Sequence, residues 1–360
     1  MNMGIHTLLL FLAGLFLLIA GAEALVRGAS RLAAAVGISP LVIGLTVVAF
    51  GTGSPEFAVS VGASWNGSPN LALGNVVGSN ICNILLILGV VAVITPLTVA
   101  QQLVRWEVPL MVGVSGLLLI FGWDGAIDFS DGLVLLVGLT TFIGIGIWTG
   151  RREPPEVYEE YNRAHPRPKH TRMWLQLVLI VVGLAMLVLG SRWLVLSAVE
   201  IAVAAGLSEL VIGLTIVAVG TSLPEIVTSV MASIRGECDI AVGNAIGSNL
   251  FNMLAVLGFS AVISPDGIPV PTAALHFDLI VMTAAAVACF PIFVTGYRID
   301  RWEGGLFLCY FIAYNAYLIL ASQQHDLLPL FSQTMLWFVI PLTVVTLVVI
   351  TLRSFTLLRK

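Results

Sequence analysis

Eleven stretches of this 360-residue chain are long and apolar enough to cross a lipid bilayer, and this limits the fold before anything else does. The hydrocarbon core is about 30 Å thick, and an α-helix of about 20 residues spans it. Leu8–Val26, Leu41–Ser64, Leu71–Ile94, Val108–Trp123 and Gly132–Trp148 meet that length. Trp174–Leu196, Leu210–Ile234, Ile240–Ile263, Leu275–Val294, the shorter Leu306–Leu320 and Met335–Thr351 complete the eleven, with ends set only approximately by the apolar runs. No alternating barrel pattern is present, and backbone groups in lipid need partners within their own segment, so helices are predicted. Only 10% of the residues are charged, against about a quarter in soluble domains. The fold class is an all-α polytopic membrane protein with about 11 spans.

The placement of charge orients the chain. With the N-terminus outside, 15 of the 16 Lys and Arg residues fall at cytoplasmic positions, as the positive-inside rule requires. The exception, Arg192, sits near the end of the sixth span and can snorkel. Ten spans would put the basic C-terminus outside, so eleven is preferred. Residues 151–172 are read as a cytoplasmic connector. Met1–Thr7 carries no Lys or Arg, and no small-residue cleavage site follows it. It is read as leading into a first span, not as part of a removed signal peptide. A prokaryotic inner membrane suits this plan. Cys82, Cys238, Cys289 and Cys309 lack paired spacing and are read as small apolar packers.

The chain also repeats itself. Gly14, Gly21, Gly44, Gly51, Glu56, Asn75, Ser79, Asn83 and Pro96 recur 169 positions later as Gly183, Gly190, Gly213, Gly220, Glu225, Asn244, Ser248, Asn252 and Pro265. Leu41–Thr52 and Leu210–Thr221 share ten of twelve residues. Five spans separate equivalent points, and five is odd, so the halves cross the membrane in opposite senses. The expected organisation is a first five-helix repeat over 1–150, the connector, a second repeat over 173–322, and one extra C-terminal helix within 323–360.

Two apolar runs are interrupted alike, by Gly51-Thr-Gly-Ser-Pro-Glu56 and Gly220-Thr-Ser-Leu-Pro-Glu225. Pro55 and Pro224 lack an N–H, so the Gly51 and Gly220 carbonyls lose their helical partners. Such breaks are tolerated in a membrane only where protein or a watery cavity surrounds them. An intramembrane carboxylate follows each break and marks a functional site, yet no Lys or Arg nearby in sequence answers either. A visiting cation is the economical partner. Ser79 with Asn83, and Ser248 with Asn252, add oxygens one helical turn apart. Carboxylates, amides, hydroxyls and freed carbonyls, without sulfur or imidazole, form a hard-cation set that suits calcium or sodium. Asn75, Asn80, Asn244 and Asn249 are read as interhelical glue, Thr46 and Thr215 as path-lining or back-bonded hydroxyls, and Glu23 with Arg27 as an interfacial pair.

At these motifs the chain resembles the sodium/calcium exchangers of the calcium/cation antiporter superfamily, over about residues 8 to 320. The resemblance implies a ten-helix core whose second and third helices in each repeat surround the ions, with alternating access by movement of the first and sixth helices. The ion-site residues it implies are Ala49 (backbone oxygen), Thr52, Glu56, Ser79 and Asn83. From the second half come Ala218 (backbone oxygen), Thr221, Ser222, Glu225, Ser248 and Asn252. Gly53 stands where the motif has serine, and Asn252 where many members have aspartate. Two acids give the site a formal charge of −2, which one Ca²⁺, two Na⁺ or two protons would neutralise. Two or three monovalent ions per calcium, and sodium or protons as counter-ion, both remain open.

The function expected is a secondary active antiporter exchanging Ca²⁺ for Na⁺, with inorganic cations and lipid as partners and neither prosthetic group nor nucleic acid. Proton-coupled divalent exchange is the alternative within that class. A cation channel is the alternative outside it, although a channel would need a continuous polar face. An intramembrane hydrolase built on Ser54 is disfavoured, because no histidine lies within a span to activate it and Leu223 replaces that serine in the second copy.

Overall fold

The computed structural model describes residues 5–36, 38–150, 173–204 and 218–357. The expected connector 151–172 and the start of the seventh span, with Thr215, lie outside the described residues. Among those described, nine helices are long and apolar enough to cross a membrane. A tenth span is the pair Pro40–Thr52 and Ser54–Trp65, bent by 49° at the first sequence break. Its second-half counterpart is the shorter apolar helix Leu223–Ile234, preceded by a turn at Ala218–Gly220. A helix thus stands at each of the eleven expected spans.

The boundaries depart most at the first and sixth spans, Ile5–Val36 and Met173–Ala204, each of 32 residues. At 1.5 Å per residue each is about 48 Å long, well beyond the bilayer core, so both must lean or project. The apolar run ends at Val26, but the helix continues through Arg27. Glu23 pairs with Arg27 one turn away at 2.5 Å, and also with Arg235 from the turn between the seventh and eighth spans. Paired charge lets the helix run on to Val36. Ser39 then caps the second span with Pro40 in its first turn, an arrangement suited to a helix start.

Crossed glycines hold the first and sixth spans together. A Cβ on Gly14 would meet the Gly190 carbonyl oxygen at 2.8 Å, and one on Gly21 would meet that of Gly183 at 2.8 Å. Since Gly14 corresponds to Gly183 and Gly21 to Gly190, one contact is made twice about a pseudo-two-fold axis. Small residues are what permit helix backbones to approach this closely in a membrane.

Two short antiparallel strand pairs join the halves at the loops. Leu97–Thr98, after the third span, pairs with Arg298–Ile299, after the ninth. Ala126–Ile127, after the fourth, pairs with Ile268–Pro269, after the eighth. Loops that share hydrogen bonds lie on the same side of the membrane. Both pairings therefore require an even number of crossings between their members, which the eleven-span count supplies. Of the nine long spans among the described residues, the third and eighth are the most buried and the eleventh the least. The repeats' third helices thus form the centre of the inverted-repeat fold, with the broken helices against them.

Candidate cation site

The two breaks have the same backbone geometry. Gly53 adopts φ −78°, ψ 0°, and its counterpart Ser222 adopts φ −89°, ψ 7°. Both lie in the sparsely populated bridge region, where functional residues often sit. Pro55 and Pro224 fall in the first turn of the helices that follow, where a missing N–H costs nothing. The expected free carbonyls, however, are not free. Gly51 O accepts the Ser54 hydroxyl at 2.7 Å, and Gly220 O accepts the Ser191 hydroxyl at 2.8 Å. An unpartnered carbonyl in apolar surroundings is costly, and each half found its own hydroxyl to satisfy it. Leu223 cannot serve as Ser54 does, so the sixth span supplies Ser191, where the first half has Ala22. Ser191→Ala leaves Gly220 O unpaired and should cost about 1–3 kcal/mol, read as a lower Tm in detergent.

The broken second span packs on the eighth, and the turn at Ala218–Gly220 on the third. This brings Glu56 and Glu225 within Coulombic reach of each other. Each is 2% exposed, and one oxygen of each, Oε2, has no hydrogen-bond partner. Among the described residues neither carboxylate forms an ion pair.

Mirrored side-chain bonds fix the groups around them. Asn75 Nδ2 donates to Ser60 Oγ at 2.9 Å, and Asn244 Nδ2 to Ser229 Oγ at 3.0 Å. Asn83 Nδ2 donates to Asn249 Oδ1 at 3.0 Å, and Asn252 Nδ2 to Asn80 Oδ1 at 3.2 Å. Asn80 and Asn249 in turn donate to the Met282 and Met111 sulfurs at 3.6 and 3.5 Å. Asn75, Asn80, Asn244 and Asn249 thus make the interhelical bonds expected of them. Their consequence is directional: with both Nδ2 groups engaged, Asn83 Oδ1 and Asn252 Oδ1 are buried and unpartnered. Both asparagines also lie in stretches of wider π-helix, Cys82–Leu88 and Asn252–Val256, a local form often found at functional sites.

Of the other sequence-predicted residues, Ser222 Oγ and Ser248 Oγ are also buried without partners. Ser79 and Thr52 are buried, and Thr52 donates to Asn244 Oδ1 at 3.2 Å and lies against Glu225. Ala49 is buried, and its carbonyl accepts the Gly53 N–H at 2.9 Å. Ala218 opens the second break and Thr221 follows it, partly buried. Thr46 bonds back to Val42 O at 2.6 Å and also lines an apolar cavity of about 390 Å³ with Phe50, Leu184 and Phe251.

Two features escaped the sequence reading. The Cys82 thiol, taken for an apolar packer, lies against Ser222 and within reach of both carboxylates, so sulfur does border the oxygen set. Its position just before Asn83 was the available signal. Ser60 with Ser64, and Ser229 with Ser233, run one and two turns beyond each glutamate on buried faces. The i+4 spacing from Glu56 and Glu225 would have revealed them.

The model of the family described as sodium/calcium exchanger protein matches residues 6–148 and again 175–320, one match for each repeat. The chain belongs to the sodium/calcium exchanger family. A putative antiporter, CaxA, from Alkalimonas amylolytica is 42% identical over 292 residues, covering 80% of this chain and 90% of that protein. The sodium/calcium exchanger MaX1 of Methanosarcina acetivorans is 30% identical over 312 residues, covering 78% and 89%. Among solved structures, the sodium-calcium exchanger NCX_Mj superposes with a TM-score of 0.74 at 32% identity, covering 87% of this chain and 98% of that one. As a member of this exchanger family the chain is an integral membrane cation antiporter.

In an exchanger the Asn80–Asn252 bond has a measurable role. Asn80→Ala frees the Asn252 amide to rotate; were Asn252 Oδ1 to ligate the transported ion, losing such an outer partner would lower metal affinity about 10- to 100-fold. The half-saturating calcium concentration for exchange should rise by about tenfold or more, with folding retained.

Proposed function

We propose that this exchanger carries Ca²⁺ in one direction and Na⁺ in the other through one shared site, opened alternately to the two faces. The observation that carries the reading is that, among the buried side-chain oxygens without partners, six belong to the two carboxylates and to motif residues. Ser64, Gln176, Thr228, Ser233 and Ser260 carry others. The six are those of Glu56, Asn83, Ser222, Glu225, Ser248 and Asn252, drawn from both repeats. An unpartnered buried polar atom costs free energy, and here all six are oxygens of the kinds that ligate calcium and sodium. We assign the ligand role to these six with Thr52, Thr221, Ser79 and the Ala49 and Ala218 carbonyls.

The coupling follows from charge. Empty, the two carboxylates repel each other in a low-dielectric interior, so an unloaded carrier resists closing around its site. Loaded with Ca²⁺ or with monovalent cations, the repulsion is cancelled and the closed state becomes accessible. The first and sixth spans are the elements assigned to the movement. The N-terminus is assigned to the outside and residues 151–172 to the cytoplasm, with repeats over 1–150 and 173–322.

The test is radiolabelled calcium uptake into proteoliposomes holding the purified chain, with sodium and proton gradients imposed separately. Uptake driven by an outward sodium gradient is the expected result. Uptake driven only by protons replaces sodium with protons as counter-ion, and gradient-independent leak identifies a channel.

A further inference from the structure

The pseudo-two-fold axis relates the two breaks, but their surroundings differ. Ser222 carries a hydroxyl whose oxygen is unpartnered, and the small Cys82 lies beside it. Its counterpart Gly53 carries no side chain, and Phe251 occupies the position equivalent to Cys82. A Cβ on Gly53 would meet the Phe251 ring carbon Cδ1 at 3.1 Å and the Ala49 carbonyl oxygen at 3.0 Å. The ring fills the space a serine side chain would take.

The difference extends outward. Phe251 meets Phe50 edge-on at 4.7 Å between centroids and Phe57 at 6.2 Å, and Phe57 meets Phe259 at 5.4 Å. The four residues at the equivalent places in the other half are Val219, Ile226, Cys82 and Val90. An aromatic wall therefore stands at the Gly53 break alone. Aromatic carbon offers a cation no lone pair to replace the water it would shed.

We propose that Phe251 closes one of two mirror-related cation lobes, leaving a centre between Glu56 and Glu225 and a single lobe at Thr221–Ser222. This rests on the exchange reading above and sets its stoichiometry. Two places and two carboxylates admit two monovalent cations, or one Ca²⁺ at the centre. Both loaded forms then carry the same site charge, because Asn83 and Asn252 add none. Exchange is two monovalent ions per calcium and moves no net charge across the membrane.

The test is the calcium accumulation reached at equilibrium in proteoliposomes holding the full chain, under a tenfold gradient of the driving monovalent cation and a membrane potential clamped with potassium and valinomycin. Accumulation of roughly a hundredfold, unchanged between zero and clamped potential, is the expected result. With a third monovalent ion, accumulation would change about tenfold for every 60 mV, and that result overturns the proposal. No gradient-driven uptake at all would instead remove the exchange reading beneath it. The paired variant Gly53→Ser with Phe251→Cys copies the open lobe onto the closed side and should make accumulation voltage-dependent. If that variant exchanges calcium but stays voltage-insensitive, Phe251 does not set the number. Should it fail to fold, Phe251→Leu, which empties the ring's place without adding volume, is read in the same way.

Discussion

Glu56→Gln is expected to abolish gradient-driven calcium exchange, and Glu225→Gln should do the same on its own. Each substitution keeps shape and volume but removes one of the two charges available to a divalent ion. Displacing an outer partner of a metal ligand already costs 10- to 100-fold in affinity, so loss of a charged oxygen at the ion should exceed about 100-fold. The folded protein should survive both changes, because among the described residues neither carboxylate forms an ion pair that the substitution would break. Replacing a buried, unpaired carboxylate with an amide also removes repulsion between the two. The expected pattern is therefore lost transport with an unchanged or raised Tm. Retained exchange in both single variants would show that calcium does not pass between these residues.

A large structural effect is expected from Gly183→Val. A Cβ there would stand 2.7 Å from both the Gly21 carbonyl oxygen and the Leu25 amide nitrogen. Backbone cannot step aside as a side-chain tip can, so the first and sixth spans must part. Overpacking of this kind costs typically 1–3 kcal/mol or more, and here it also displaces the helices assigned to the transport movement. Tm should fall and exchange should fail together. Gly113→Ala is the control: nothing lies within 4 Å of its Cβ position, so stability and exchange should both be kept.

Much of this architecture could be read from the sequence because its carriers are local. Apolar run length fixed the helices, and the constant offset of 169 residues, with five spans between equivalent points, fixed the inversion. Six of the buried unpartnered oxygens come from residues that the motifs mark, whereas those of Ser64, Gln176, Thr228, Ser233 and Ser260 do not. What stayed hidden depends on tertiary contact. Nothing near Gly220 in sequence announces that Ser191, 29 residues earlier, bonds its carbonyl. Arg27 looked like a helix end because charge usually marks the interface, yet Glu23 and Arg235 together keep it within the first span. Cys82 reads as an apolar packer until the seventh span is laid against it. The glue residues Asn80 and Asn249 were identified, but not that they aim the oxygens of Asn252 and Asn83.

The crossed glycines of the first and sixth spans carry a consequence for ancestry. Gly14 against Gly190 and Gly21 against Gly183 are one patch meeting its own copy, the geometry of a two-fold homodimer interface. A lone five-helix unit already possesses both sides of this seam, provided two molecules insert upside down relative to each other. Fusing them into one polypeptide supplied no new joint. It freed the copies to diverge, and the serine on one side and the phenylalanine wall on the other are changes that an assembly of identical subunits cannot make.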